Sequence, residues 1–105
     1  MACSCQFTPL AQQDLDASLA YILHSLSNPG AAKALYQEVE KTLSGICAFP
    51  YAYPDCSRFL IEDTNIRHAL VGNYLLIYEI ERTGQSVRIL RFLYSGRDIA
   101  GMPVT

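Results

Sequence analysis

Charge is scarce in this sequence, and lysine is scarcer still. Charged residues make up 17% of the 105 positions, and no lysine follows Lys41. Half of the residues are hydrophobic, so the low charge marks a globular chain with a core to bury rather than a disordered one. The formal net charge of −2 excludes a protein that holds nucleic acid mainly through an overall positive field. No apolar run approaches the ~20 residues that a membrane helix needs. The opening "MACSCQFTPL" has neither the basic n-region nor the apolar h-region of a secretion signal. A cytoplasmic protein is therefore expected. Phosphate-cradling glycine loops, nucleophile elbows and internal repeats are also missing, and a single domain over 1–105 is expected. Four cysteines are present (Cys3, Cys5, Cys47, Cys56), and in the cytoplasm they stay mostly reduced. Cys3-Ser4-Cys5 is one C-x-C with no second pair and no suitably spaced histidine, a weak zinc signal. No metal and no cofactor are expected.

The pattern that is present begins with helix starts. Thr8 followed by Pro9 supplies a capping hydroxyl and then a proline where the missing N–H does no harm. Leu15, Leu19, Ile22 and Leu26 recur at helical spacing, so an amphipathic helix is predicted over about residues 9 to 26. Asn28-Pro29 repeats the start signal. Ala32, Leu35, Val39, Leu43 and Ile46 then form one stripe that ends near Gly45 to Pro50. The short connection makes the two helices antiparallel neighbours. "AFPYAYPDCSR" reads as a loop, because two prolines interrupt any ladder. Beyond it, "RFLIED", "IRHALVG", "NYLLIYEIE" and "SVRILRFLY" are rich in β-branched and aromatic residues and are separated by short turn signals. "CSCQF" adds a further candidate strand at the start. The fold class expected is α+β: an antiparallel twisted sheet of four or five strands with an N-terminal two-helix hairpin packed on one face.

Charge is unevenly placed along the chain. Up to Ala52 two lysines stand against four acids; from Tyr53 onward six arginines stand against six acids. The second half is neutral but arginine-dense, which suits recognition of phosphate or carboxylate unless neighbouring acids neutralise the guanidinium groups. Arg91 lies inside an apolar strand, and a cross-hairpin pair with Glu79 or Glu81 is expected for it. His24 and His68 have no acid at a diagnostic spacing and read as structural. Tyr74 and Tyr78 share strand parity and are expected to pack under the helices. Tyr51 and Tyr53 either cover a core edge or stack on bases.

"NYLLIYEIERTGQSVRILRFLYSGRD" resembles the C-terminal half of the RelE/ParE superfamily, toxins of bacterial type II toxin–antitoxin systems. Members share a Tyr-rich strand, a short turn, a strand of the form "VxILRxxH" and a terminal "xxRD". Tyr74, Tyr78, Val87, Ile89, Leu90, Arg91, Arg97 and Asp98 occupy those places. The upstream helix pair, the "AFPYAYP" loop and the "IRHALVGNY" strand agree in order, so the resemblance spans nearly the whole chain. It implies one of two activities. RelE-like members cleave mRNA in the ribosomal A site, whereas ParE-like members, including plasmid stabilisation proteins, inhibit DNA gyrase.

The sequence departs from the nuclease pattern. Leu75 stands where nucleases often carry arginine. Tyr94 stands at a common histidine position, and a tyrosine of pKa near ~10 is a poor base at neutral pH. Residues 99–105, broken by Pro103, leave no room for the C-terminal helix that carries a further tyrosine in some nucleases. The resemblance therefore implies a ParE-like toxin that binds gyrase without cutting RNA and is neutralised by a cognate antitoxin. The rivals are a ribosome-dependent mRNA endonuclease relying on Arg97 and Arg67, and a toxin fold that only binds its antitoxin. Target contact is expected from Arg97, Tyr94, Arg91, Arg67 and Arg58. Antitoxin contact is expected from Leu75, Ile77, Leu90 and Phe92, with Arg91 and Arg97.

Overall fold

A computed structural model describes residues 4–56, 64–81 and 86–95. Strand β1 (Ser4–Phe7) leads into helix α1 (Pro9–Ala20), and helix α2 (Pro29–Ala48) follows. Three strands then complete the sheet: β2 (Ile66–Val71), β3 (Tyr74–Ile80) and β4 (Ser86–Tyr94). The predicted strand "RFLIED" and the Arg97-Asp98 terminus fall outside the described residues. Among the described residues no helix is long and apolar enough to cross a membrane.

The caps operate as their residue types require. The Thr8 hydroxyl accepts the Ala11 N–H at 3.1 Å and donates to the Leu90 carbonyl at 3.3 Å, so one side chain starts α1 and pins that start to β4. The Asn28 side chain accepts the Ala31 N–H at 3.1 Å and opens α2. The first helix keeps α geometry only to Ala20. Tyr21–Ser25 widen into a π turn, in which the Leu26 N–H reaches the Tyr21 carbonyl at 3.1 Å. Ser27 then takes a left-handed φ of 48°, and Asn28 extends before Pro29 as a residue preceding proline must.

The sheet order is β1-β4-β3-β2. β2, β3 and β4 form the antiparallel meander expected, and Gly72, at φ 59°, with Asn73 makes the tight turn between β2 and β3. β1 departs from expectation, because it runs parallel to β4, with Cys5 opposite Val87 and Phe7 opposite Ile89. A hairpin turn forces antiparallel pairing only on strands joined by it. β1 reaches β4 through the intervening helices and strands, so no turn dictates its direction.

A bulge interrupts the β3–β4 ladder: Ile77 pairs with Arg91 and Tyr78 with Ile89, which leaves Leu90 as the extra residue. Val87, Ile89 and Phe92 join Tyr78, Leu76 and Ile80 against Ala11, Leu15, Val39 and Ile46 of the helices. Leu90 and Leu93 turn to the opposite face with Leu75, Ile77, Ile66 and Cys56. Leu90 and Phe92, two residues apart, therefore lie on different faces because the bulge shifts the alternation by one. Tyr74 and Tyr78 do pack under the helices, and the buried Tyr78 hydroxyl donates to the Pro50 carbonyl at 2.6 Å.

Candidate functional site

β1 stops at Phe7, and beyond Ile89 the flank of β4 is taken over by α1. Asp14 does the work of the missing strand there. Its Oδ2 accepts from Arg91 Nε at 2.6 Å and from the Phe92 backbone N–H at 3.1 Å, and its Oδ1 accepts from Arg91 Nη2 at 3.1 Å. The two side chains are 8% and 14% exposed. Arg91 thus pairs with an acid 77 positions earlier, not with Glu79 or Glu81 across the hairpin. Glu79 is instead held by Arg88 at 2.7 Å on the surface.

Arg67 is similarly engaged. Its Nε donates to the Thr64 carbonyl at 2.9 Å, and its Nη1 donates to the carbonyls of Tyr51 at 3.1 Å and Tyr53 at 2.8 Å. The guanidinium also lies 5.2 Å from the centre of the Tyr51 ring. Arg67 therefore fastens the proline-rich loop to β2, and Asp55 bridges to Arg67 along the same edge. Tyr53 meets Tyr78 edge-on and covers the core, whereas Tyr51 stays half-exposed.

Between the helical hairpin and the end of β4 lies an open groove of about 680 Å³. One wall is the π turn, with Tyr21, Ile22 and Leu26; the other is the strand end, with Tyr74, Phe92 and Tyr94. Tyr74 stacks on Phe92 at 4.9 Å and meets Tyr94 edge-on at 5.8 Å, so the aromatic wall is built as one unit. Tyr21, Leu26 and Tyr94 are 56%, 55% and 52% exposed. A concave surface with three large apolar side chains left in water fits a protein segment better than a small ion. Among the described residues no group of three or more His, Cys, Asp or Glu is placed to hold a metal.

The sequence matches, over residues 5–99, the family model described as the ParE toxin of the type II toxin–antitoxin system parDE. The chain belongs to the ParE toxin family. Its fold is similar to that of the chromosomal ParDE toxin–antitoxin system from P. aeruginosa. That likeness has a TM-score of 0.67 at 18% identity and covers 88% of this chain and 95% of that one. A second similar fold is in the RelBE2 toxin–antitoxin complex from Mycobacterium tuberculosis, with a TM-score of 0.58 at 22% identity, covering 90% and 99%. No curated protein matches the sequence.

Within this ParE-family fold the expected site residues separate. Tyr94 is exposed at the strand end. Leu75, Ile77 and Leu90 are at most 3% exposed on the face away from the helices, and Phe92 is 1% exposed in the helix-side core. The four side chains from which antitoxin contact was expected are thus buried within the chain, on two different faces. Arg91 is engaged by Asp14, and Arg67 by the carbonyls of Thr64, Tyr51 and Tyr53. Arg97 and Arg58 lie outside the described residues. Sequence reasoning missed Asp14, which entered only as one of the four acids of the first half. It also placed Leu26 in the buried stripe, from which the π turn removes it. Tyr21 gave a legible signal, as a large side chain off the Leu15–Leu19–Ile22 stripe.

Proposed function

We propose that this ParE-family chain is the growth-inhibiting member of a type II toxin–antitoxin pair, acting in the cytoplasm by binding DNA gyrase rather than by cutting RNA. One observation carries the reading: both guanidinium groups are engaged within the chain, Arg67 at the half-buried loop edge with backbone carbonyls and Arg91 in a buried pair with Asp14. An RNA-cleaving site must stabilise a phosphorane with cations aimed at it, and these two guanidinium groups are aimed elsewhere. Leu75, at the place where nucleases of the superfamily often carry arginine, is buried among apolar side chains, which supports the same reading. Tyr94, with Arg97 and Arg58, remains the proposed target contact.

The cognate antitoxin is proposed to neutralise the toxin by laying an apolar segment into the groove between Tyr21, Leu26 and Tyr94. Such a segment folds on binding and covers the apolar surface that the chain leaves exposed. Induced expression in bacteria, followed in parallel by primer extension on ribosome-bound message and by a DNA-damage reporter, tests the activity. Purified protein added to a gyrase supercoiling assay tests the target. Gyrase inhibition with intact message is expected. Clear A-site cuts that disappear in Arg97→Ala would overturn the reading in favour of the nuclease.

A further inference from the structure

Cys5 stands on the outer strand β1 and Cys47 in the last turn of α2, and folding brings their sulfur atoms to 2.9 Å across 42 positions of sequence. Both positions are held from outside the pair. Cys5 is locked in register opposite Val87, and its sulfur also lies 4.0 Å from the Leu43 carbonyl one helical turn before Cys47. A disulfide needs sulfurs about 2.05 Å apart. From 2.9 Å the two thiols need to close by only about 0.9 Å. Both residues are half-buried, so a small oxidant has access to them. Cys56 is the contrast: it is fully buried, 3.7 Å from His68 Nδ1, and burial pushes its thiol up to about 11. A thiol kept protonated and covered is inert.

We propose that Cys5 and Cys47 form a reversible thiol–disulfide site that responds to peroxides or small-molecule disulfides. With hydrogen peroxide, one thiolate attacks a peroxide oxygen, becomes a sulfenic acid and releases water. The second thiol then displaces water from that sulfur and forms the S–S bond. Two thiols and one peroxide give one disulfide and two waters. With oxidised glutathione, the first thiolate forms a mixed disulfide and releases one glutathione. The second thiolate closes the bond and releases the other. The closed loop contains α1, the π turn and nearly all of α2, so the bond fastens the last turn of α2 to the sheet edge. Thr8 fastens the start of α1 to β4 beside it. The helical wall of the groove, Tyr21, Ile22 and Leu26, lies within this closed loop.

The full chain, incubated with excess oxidised glutathione, alkylated and digested, should yield one peptide pair joining Cys5 to Cys47. Its mass should be lower by two hydrogens, and dithiothreitol should reverse the link. Oxidation should raise Tm on the order of 10 °C. Cys47→Ser should abolish both the link and the shift while keeping the reduced Tm of the wild type, and Cys3→Ser should keep both. A wild-type link from Cys3 to either partner, failure of Cys5 and Cys47 to join, or a link that leaves Tm unchanged would each overturn the proposal.

Discussion

Asp14 is the residue on which the junction of α1 and β4 turns. One carboxylate serves a buried guanidinium and a strand-edge N–H together, so removing it takes an acceptor from both. Truncating one partner of a buried ion pair costs about 3–5 kcal/mol, much of it from the uncompensated charge left behind. Asp14→Ala should therefore lower the urea midpoint by the equivalent of about 3 kcal/mol, and Asp14→Asn by less, because the amide oxygen still accepts from Phe92. Equal midpoints for wild type and Asp14→Ala would show that the pair contributes nothing. Cys56 gives a second residue-level expectation. Burial, reinforced by Asp55 and opposed by Arg67, raises its thiol from the ordinary 9.0 to about 11. The unfolded thiol deprotonates first as pH rises, so the folded state holds more protons in that interval. Its contribution is complete below pH 9 and is lost between 9 and 11. Denaturation midpoints should fall over that window, and the fall should be shallower in Cys56→Ala.

Caps and turns set the elements, and each was readable locally. Thr8 carries more than a cap, because its hydroxyl also donates to Leu90 at the bulge. Thr8→Ala should cost about 1–2 kcal/mol in chemical denaturation, toward the upper end for an N-cap because a strand contact goes with it. Thr8→Ser should restore most of that loss. Gly72 tests the hairpin in a different way. No atom lies within 4 Å of a Cβ built there, so space is not the obstacle, but its φ of 59° is. Gly72→Ala should destabilise by about 1 kcal/mol from backbone strain alone. Helix starts, the β2–β3 turn and the alternation in the strands were legible because each is written within a few residues. The π turn was not, because Leu15, Leu19, Ile22 and Leu26 fit an unbroken α-helix equally well.

At the scale of the whole molecule, the described strands bury apolar side chains on both faces, and three of the exposed large apolar side chains, Tyr21, Leu26 and Tyr94, converge on the groove. Docking of an antitoxin there predicts that Leu26→Glu and Tyr21→Glu each weaken the complex by more than tenfold, since a charge would be buried against an apolar segment. Titration calorimetry with purified antitoxin measures the effect. Unchanged circular dichroism and Tm are expected, because both side chains are more than half exposed. A neutral effect of both substitutions on affinity would place the antitoxin elsewhere. Hydrogen exchange supplies an independent check: antitoxin should protect the π turn and the end of β4 more than β2.

The sequence by itself determined where helices begin, which segments extend, and the superfamily pattern that runs from the helix pair to the last strand. Capping hydroxyls, prolines and side-chain alternation act over a turn or two, so they can be read in order along the chain. Tertiary structure alone decided the parallel direction of β1, the bulge at Leu90, the partner of Arg91 and the meeting of Cys5 with Cys47. Each of these joins residues far apart in sequence, 77 positions for Asp14 and Arg91 and 42 for the two cysteines. No local preference encodes such a pairing. It follows from how the helical layer settles on a twisted, bulged sheet, and that packing sets Arg91 against Asp14.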